Sequence, residues 1–157
     1  TGGSHYGHGG GGNYLCLTDD PAQADGASDL NHNGGLDYGT EYEPTGAIDL
    51  NINGDAACAV CQAPSAHQVY VQWGRQTCKG GHTLEYKGLV MSSHYEHTKS
   101  EFVCVDYARE VPASSSTANH TGALLYTVET EAGSMDESIY PANRELGCAV
   151  CSVDTFA

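Results

Sequence analysis

The chain has 157 residues and a formal net charge of −14, with six Lys and Arg against twenty Asp and Glu. This length suits one domain of ordinary size. The negative charge excludes nucleic acid and anionic membrane surfaces as favourable partners, because both would repel the protein. No apolar run reaches the roughly 18 residues of a spanning helix, so no membrane insertion is expected.

Short β-strands separated by turns are predicted along the chain, and no stretch has the pattern of a capped amphipathic helix. Short runs are rich in Val, Tyr, Thr and Leu, and several of them alternate as strands do. Clusters of Gly, Asn, Asp and Ser, which favour turns, separate them. These runs are HQVYVQW (67–73), TLEYKGLVM (83–91), EFVCVDY (101–107) and GALLYTVET (122–130). The predicted fold class is therefore all-β.

The sequence repeats itself at a nearly constant spacing, which predicts an internal duplication. Four matches occur in order: SHYGH (4–8) with SHYEH (93–97), NYLCL (13–17) with EFVCV (101–105), GTEYEPTG (39–46) loosely with GALLYTVETEAG (122–133), and CAVC (58–61) with CAVC (148–151). We predict two pseudo-symmetric, disulfide-linked β repeats, 1–66 and 67–157, in one compact unit. The second repeat contains a leading segment, 69–91, that the first lacks.

Several features favour a secreted, extracellular protein. Seven cysteines suit an oxidising compartment, since cytosolic thiols are kept reduced. Asn119 begins an N-glycosylation sequon, which matters only on the secretory route. A chain that starts at Thr1 instead of Met suits a processed form.

A single pairing plan applied to both repeats predicts the disulfides. Cys78 and Cys104 would each bond one member of the Cys148/Cys151 pair. Cys16 would bond Cys58 or Cys61, and the other of those two would be left unpaired. The unpaired thiol is either buried or a bridge between protomers. We expect it to be buried, because a free cysteine behaves as a small apolar side chain.

A family resemblance covers essentially the whole chain. It rests on GGSHYGHGGGGNYLCL, YVQWGRQTC, TLEYKGLVM, SEFVCVD, GALLYTVE and NRELGCAVC. Together these motifs resemble the short-chain (spongin-type) collagen C-terminal domains of sponges, which are distantly similar to the type IV collagen non-collagenous domain. The resemblance implies a two-copy, mostly β module that tends to trimerise. The chain has no Gly-x-y run, so it is not itself a fibre-former.

The same resemblance carries the expected function. Some soluble members of sponge origin are lectins for N-acetylated hexosamines such as N-acetylglucosamine, and this chain resembles them. We therefore expect a secreted carbohydrate-binding protein that is multivalent through homo-oligomerisation, with a trimer favoured. The alternative is an extracellular-matrix trimerisation module that binds no sugar.

The two SHYxH segments form the predicted sugar site. Imidazole and phenol groups can bond sugar hydroxyls or an acetamide, and a Tyr ring can stack on a pyranose face. The Gly-rich stretch 9–12 would let a ligand approach the backbone, which favours the first repeat. The predicted contacts are His5, Tyr6, His8 and Asn13 in the first repeat and His94, Tyr95 and His97 in the second.

Three other interpretations of these segments stay open. The first is a polar turn with no ligand. The second is zinc, which needs three or four converging ligands; residues i and i+3 of a strand face opposite ways, so one SHYxH copy chelates only if it bends. The third is a sugar site elsewhere, at Trp73, Asp106 or Tyr107.

Two segments resemble the first half of a calcium-binding loop. DLNHNG (29–34) and DLNING (49–54) both read Asp-x-Asn-x-Asn-Gly. The bidentate acid expected at position 12 is replaced by Thr40 in the first segment and Val60 in the second. The Asp and Asn residues of both segments also favour plain turns. No cofactor is therefore expected to be required. If calcium binds, the better ligand set is Asp29, Asn31, Asn33 and Asp37.

No catalytic motif is present. The sequence has no nucleophile elbow, no HExxH and no phosphate-binding loop. The two CxxC units lack the βαβ context of a thioredoxin-like site, and we expect disulfides there in preference to zinc. The chain is therefore not expected to be an enzyme.

Overall fold

A computed structural model describes residues 1–7, 9–25, 27, 34–43, 53–62, 67–116 and 122–154. Within these ranges the chain forms seven β-strands and no helix, which confirms the all-β prediction. The strands are β1 (Thr40–Tyr42), β2 (Gly54–Asp55), β3 (His67–Trp73), β4 (Thr83–Ser92), β5 (Val103–Asp106), β6 (Ala123–Thr127) and β7 (Gly147–Asp154). The described residues include no helix long and apolar enough to cross a membrane.

The strands form one mixed sheet. Its order is β2-β1-β6-β4-β7-β3, and β5 also pairs with β4. β1 runs parallel to β6 with Thr40 beside Ala123, whereas the other pairs are antiparallel. The parallel pair joins the two loosely matching segments GTEYEPTG and GALLYTVETEAG. The two predicted repeats therefore share one sheet, while the duplication and its boundary at residue 66 stay predictions.

Strand β7 is the most deeply buried part of the sheet. It pairs with β3 along seven residues and with β4 on its other edge. Cys148, Ala149 and Cys151 have no exposed surface. Small side chains suit this position, since a strand covered on both faces leaves little room for larger ones.

Three disulfides cross-link the fold. They join Cys16 to Cys58, Cys78 to Cys151 and Cys104 to Cys148. These bonds have the arrangement of the predicted pairing plan, with Cys61 as the unpaired cysteine. The expectation that this thiol is buried was wrong, because Cys61 is exposed.

The two CAVC segments differ in burial for a structural reason. β3 and β4 flank the second copy and cover Cys148 and Cys151. The described residues around the first copy supply no such strands, and Val60 is 87% exposed. A free cysteine is buried only where neighbouring elements enclose it.

The hydrophobic core lies where β1, β6 and β4 meet. Tyr42, Leu89, Met91 and Leu125 form its buried centre, and Val103 and Val105 of β5 pack against it. Met91 is one residue from the end of β4, and the second SHYxH segment follows directly. The core therefore supports the end of the sheet from which that segment leaves.

Gly88 provides a test of the sheet register. It is paired on both edges of β4, with Asp106 and with Cys148. A Cβ at this position would lie 1.7 Å from the carbonyl oxygen of Val105, a backbone atom that cannot rotate away. We expect Gly88→Ala to lower the free energy of unfolding by about 3 kcal/mol in urea denaturation.

The matched control is Gly80→Ala. A Cβ at Gly80 would meet no atom within 4 Å, so the substitution should change stability by less than about 0.5 kcal/mol. Equal stability of the two variants would contradict the β4–β5 register.

Candidate functional site

The first SHYxH segment is fixed to the start of β6. The backbone N–H of His5 donates to the carbonyl oxygen of Gly122 at 3.0 Å, and the ring Nδ1 lies 2.7 Å from the same oxygen. Ser4 is buried, and its Oγ accepts a hydrogen bond from the N–H of Tyr6 at 3.2 Å. The chain bends here, which leaves the Tyr6 side chain 58% exposed.

The second SHYxH segment is a turn that contacts the first. The N–H of His97 donates to the carbonyl oxygen of His94 at 2.9 Å. The N–H of Thr98 then donates to the carbonyl oxygen of His5 at 3.2 Å, so a backbone hydrogen bond joins the two segments. Tyr95 projects outward and is 86% exposed. The second SHYxH segment is therefore closed by its own turn and is still in contact with the first segment.

Three imidazole rings meet at this junction, and we call His5, His94 and His97 the histidine cluster. The ring of His97 lies 5.0 Å from that of His5 and 5.1 Å from that of His94, measured between centroids. Tyr126 of β6 closes one side, with its ring 5.0 Å from His94 and 5.8 Å from His97. The bend in each segment therefore brings together side chains that a straight strand would separate.

The two exposed tyrosines lie directly against this cluster. The ring of Tyr6 is 4.0 Å from that of His5, and the ring of Tyr95 is 4.4 Å from that of His94, again between centroids. Both pairs are tilted, at 42° and 39°. Each tyrosine is therefore positioned by the histidine that precedes it.

A buried carboxyl group lies beside the cluster. Glu43 follows β1 and is 8% exposed, and its Oε1 has no hydrogen-bond partner among the described residues. Burial raises the pKa of this carboxyl, the charge of Glu41 raises it further, and His5 opposes the rise. Burial and the charge of Glu43 also raise the pKa of the Tyr126 hydroxyl.

The environment of His97 perturbs its titration. Its Nδ1 is buried and has no partner in the described part of the chain. Burial lowers its pKa, the charges of His5 and His94 lower it further, and Glu96 opposes them. The neutral imidazole is therefore the favoured form at neutral pH.

A cleft lies beside His5 and is lined by residues of both SHYxH segments. Its volume is about 90 Å³, and it is lined by Ser4, His5, Tyr14, Ser93, Ser100 and the backbone of Gly10–Gly12. The hydroxyl groups of Tyr14 and Ser100 are hydrogen bonded at 2.7 Å. This volume is several times the roughly 10–15 Å³ that one water molecule needs. It suits a substituent such as an acetamido group and is too small for a whole hexose.

Asn13 lies next to this cleft and not on the histidine cluster. It lines a second, more open cleft of about 320 Å³, which shares Gly10 and Gly11 with the first and also includes Asp37. Asp37 is the member of the predicted calcium set that the structure describes. His8, Asp29, Asn31, Asn33 and Asn119 lie outside the described residues. Within those residues, no group of three His, Cys, Asp or Glu side chains is arranged to hold a metal ion.

The alternative sugar-contacting residues lie elsewhere on the sheet. Trp73, Cys148, Gly88 and Asp106 stand in one row across β3, β7, β4 and β5. Trp73 is 46% exposed and Tyr107 is 41% exposed, and the Tyr107 hydroxyl accepts a hydrogen bond from Gln76 at 2.7 Å. Gly88 is four residues before the end of β4, or about 13 Å along the strand. This row is therefore separate from the SHYxH junction.

Glu43 and Tyr126 are site residues that sequence pattern alone did not predict. The loose match between GTEYEPTG and GALLYTVETEAG contains the signal for both. The register that sets Thr40 beside Ala123 runs to Tyr42 and Leu125, where β1 ends. Glu43 and Tyr126 are the next residues of the two segments, and the N–H of Glu43 donates to the carbonyl oxygen of Leu125 at 3.0 Å. Corresponding positions of the two matched segments therefore lie at the same end of the β1–β6 pair, next to the histidine cluster.

Comparisons with known proteins identify no relative of the chain. No protein-family model, no curated protein sequence and no solved structure matches the chain.

Proposed function

We propose that the protein is a secreted lectin that binds N-acetylated hexosamines such as N-acetylglucosamine. The observation that supports this most is the meeting of two SHYxH segments far apart in the sequence. A hydrogen bond from Thr98 to His5 and ring contacts through His97 join them. The resemblance of the chain to sponge lectins of this specificity supports the same function.

The side chains at the junction suit a sugar. Sugars are bound by aromatic faces that cover their C–H groups and by polar groups that bond their hydroxyls. Tyr6 and Tyr95 offer exposed rings, and phenol and imidazole groups both donate and accept hydrogen bonds. The net charge of −14 favours a neutral ligand over an anionic one. A neutral hexose fits these requirements.

The N-acetyl group accounts for the cleft beside His5. The cleft has the volume of a small substituent, and its lining combines hydroxyl groups with glycine backbone. An acetamido group offers one N–H donor, one carbonyl acceptor and a methyl group, so it can use both polar atoms and the apolar contacts with Ala123 and Leu124. A hexose without this substituent would leave the cleft to water.

Assembly into a homo-oligomer, with a trimer favoured, would supply the affinity that a shallow site lacks. Several weak sites on one particle raise avidity on a glycan-covered surface without any new contact. The position and exposure of β3 support the alternative function, a matrix module that trimerises without binding sugar. This strand is at the end of the sheet order, and its Val69 and Trp73 side chains are about half exposed. An exposed edge of this kind suits pairing with another chain.

A glycan array combined with haemagglutination inhibition tests the proposal. We expect binding to glycans that end in N-acetylglucosamine or N-acetylgalactosamine, and inhibition of agglutination by the free N-acetylhexosamines. Glucose and galactose are the matched controls, since they lack only the acetamido group, and should inhibit at least about tenfold less well. Failure of every N-acetylhexosamine to bind or inhibit would overturn the lectin proposal and leave the matrix module.

A further inference from the structure

We propose that the histidine cluster makes the SHYxH junction sensitive to acid, so that protonation below about pH 6.5 loosens the contact between the two segments and weakens sugar binding. The effect on the sugar rests on the proposed function. The acid sensitivity of the junction rests only on residues of this chain, and it can be measured without a ligand.

The geometry of the cluster is the basis of the proposal. His5 belongs to one segment, and His94 and His97 belong to the other. His97 is central, within 5.1 Å of both other rings between centroids. Neutral imidazoles pack at this distance without penalty. Protonated imidazoles repel one another, and partial burial weakens the screening by solvent.

The charged groups around the cluster offset this repulsion only in part. Glu43, at the end of β1, interacts electrostatically with His5 and with Glu41. Glu96 interacts with His97 from within the turn. Tyr126 of β6 contributes a ring and a neutral hydroxyl. Because its pKa is raised, Glu43 takes up a proton at a higher pH than an ordinary carboxyl and then no longer balances a charge on His5.

The sign of the stability change follows from the two opposed pKa shifts. The pKa of His97 is lower in the folded state than its ordinary value of 6.5. The stability that the neutral His97 side chain contributes to the fold is therefore complete above pH 6.5 and is lost as the pH falls through the pKa of the folded state. The pKa of Glu43 is raised above 4.5, so acidification through its folded pKa towards 4.5 stabilises the fold. Protonation of His97 therefore destabilises the fold, and protonation of Glu43 acts in the opposite direction.

The tyrosines connect the cluster to the ligand. Tyr6 packs on the ring of His5 and Tyr95 packs on the ring of His94, so movement of either histidine moves an exposed ring. Separation of His5 from His97 also strains the hydrogen bond between His5 and Thr98. A sugar held by both segments would lose contacts on at least one side.

Calorimetric titration with chitotriose in its fully N-acetylated form, the trimer of N-acetylglucosamine, at pH 7.5 and pH 5.5 tests the effect on binding. For the unmodified protein we expect the dissociation constant to rise on the order of tenfold at the lower pH. In His97→Gln, which keeps a polar side chain but cannot be charged, the ratio between the two pH values should fall below about threefold. His94→Gln is a second variant with the same expectation, should the first fail to fold.

The control is His82→Gln. His82 lies outside the cluster, with its Nδ1 2.7 Å from the Tyr70 hydroxyl, and this variant should keep the full pH dependence of binding. A native protein whose affinity is equal at both pH values would overturn the inference. So would retention of the full pH dependence by both cluster variants.

The melting temperature without sugar separates this inference from the proposed function. We expect the native protein and His82→Gln to melt at a lower temperature at pH 5.5 than at pH 7.5, and the cluster variants to lose less on acidification. If chitotriose binds at neither pH, the lectin proposal fails, and this melting comparison alone decides on the acid-sensitive contact. Equal loss of melting temperature in native protein and both cluster variants would then contradict it.

Discussion

Replacement of both Cys104 and Cys148 by Ala should lower the free energy of unfolding by about 4 kcal/mol. The disulfide closes a loop between residues 44 positions apart, and loss of the bond returns that loop's conformational freedom to the unfolded chain. Cys148 is completely buried in β7, and Cys104 is in β5, so the bond ties two strands that both neighbour β4. Urea denaturation under non-reducing conditions measures the change.

Cys61→Ala is the matched control for that result. Cys61 is free and exposed, so its replacement should change the free energy of unfolding by less than about 0.5 kcal/mol. Alkylation of the native protein should label Cys61 and no other cysteine. Labelling of Cys104 or Cys148 before unfolding, or equal stability of the double variant and the control, would contradict the disulfide pairing.

Tyr6→Ala and Tyr95→Ala should each weaken N-acetylglucosamine binding by about tenfold. The double variant should weaken it by about a hundredfold. Both rings are more than half exposed, so their removal should cost contact with the sugar and little folding stability. Calorimetric titration gives the affinities, and far-UV circular dichroism checks that the fold is retained.

Tyr140→Ala is the control for the tyrosine variants. Tyr140 is 40% exposed and its ring lies close to Gly74, after the end of β3 and outside the SHYxH junction. Its replacement should leave sugar affinity unchanged. Unchanged affinity in the Tyr6 and Tyr95 variants would move the site away from the junction, with the Trp73 and Tyr107 row as the next candidate.

Local sequence pattern predicts the strands β3 and β4 well. HQVYVQW coincides with β3, and TLEYKGLVM covers all but the last residue of β4, because alternating Val, Tyr and Leu suit a pleated strand. The short strands β1 and β2 were not predicted. They have three and two residues, and β1 exists through its parallel pairing with β6, a contact that no local pattern encodes.

The two identical CAVC segments show the limit of local pattern most clearly. One is part of the buried strand β7 and the other is an exposed segment with a free thiol. Among the residues that the structure describes, β3 and β4 enclose the second copy, and no such strands flank the first. The unpaired thiol was expected to be buried because a free cysteine behaves as a small apolar side chain, and the exposure of Cys61 shows that this expectation was wrong.

The residue types of the candidate site are predictable from the sequence, and their arrangement is not. Repetition of SHYxH is enough to single out the histidines and tyrosines. Contact between the two SHYxH segments depends on the bend at residues 5–7, the turn closed by His97 and the position of Gly122, none of which a strand pattern specifies. Glu43 and Tyr126 join the site through the β1–β6 register, which is likewise non-local.

Chemical-shift mapping on titration with N-acetylglucosamine tests the sugar site at the SHYxH junction most directly, because it reports both binding and its location. We expect saturable shifts at residues 4–7, 10–14 and 93–100 and at the Tyr126 ring, with glucose producing much smaller changes at the same concentration. No shift with either sugar, or shifts centred on the Trp73 indole and Tyr107, would contradict a sugar site at the junction of the two SHYxH segments.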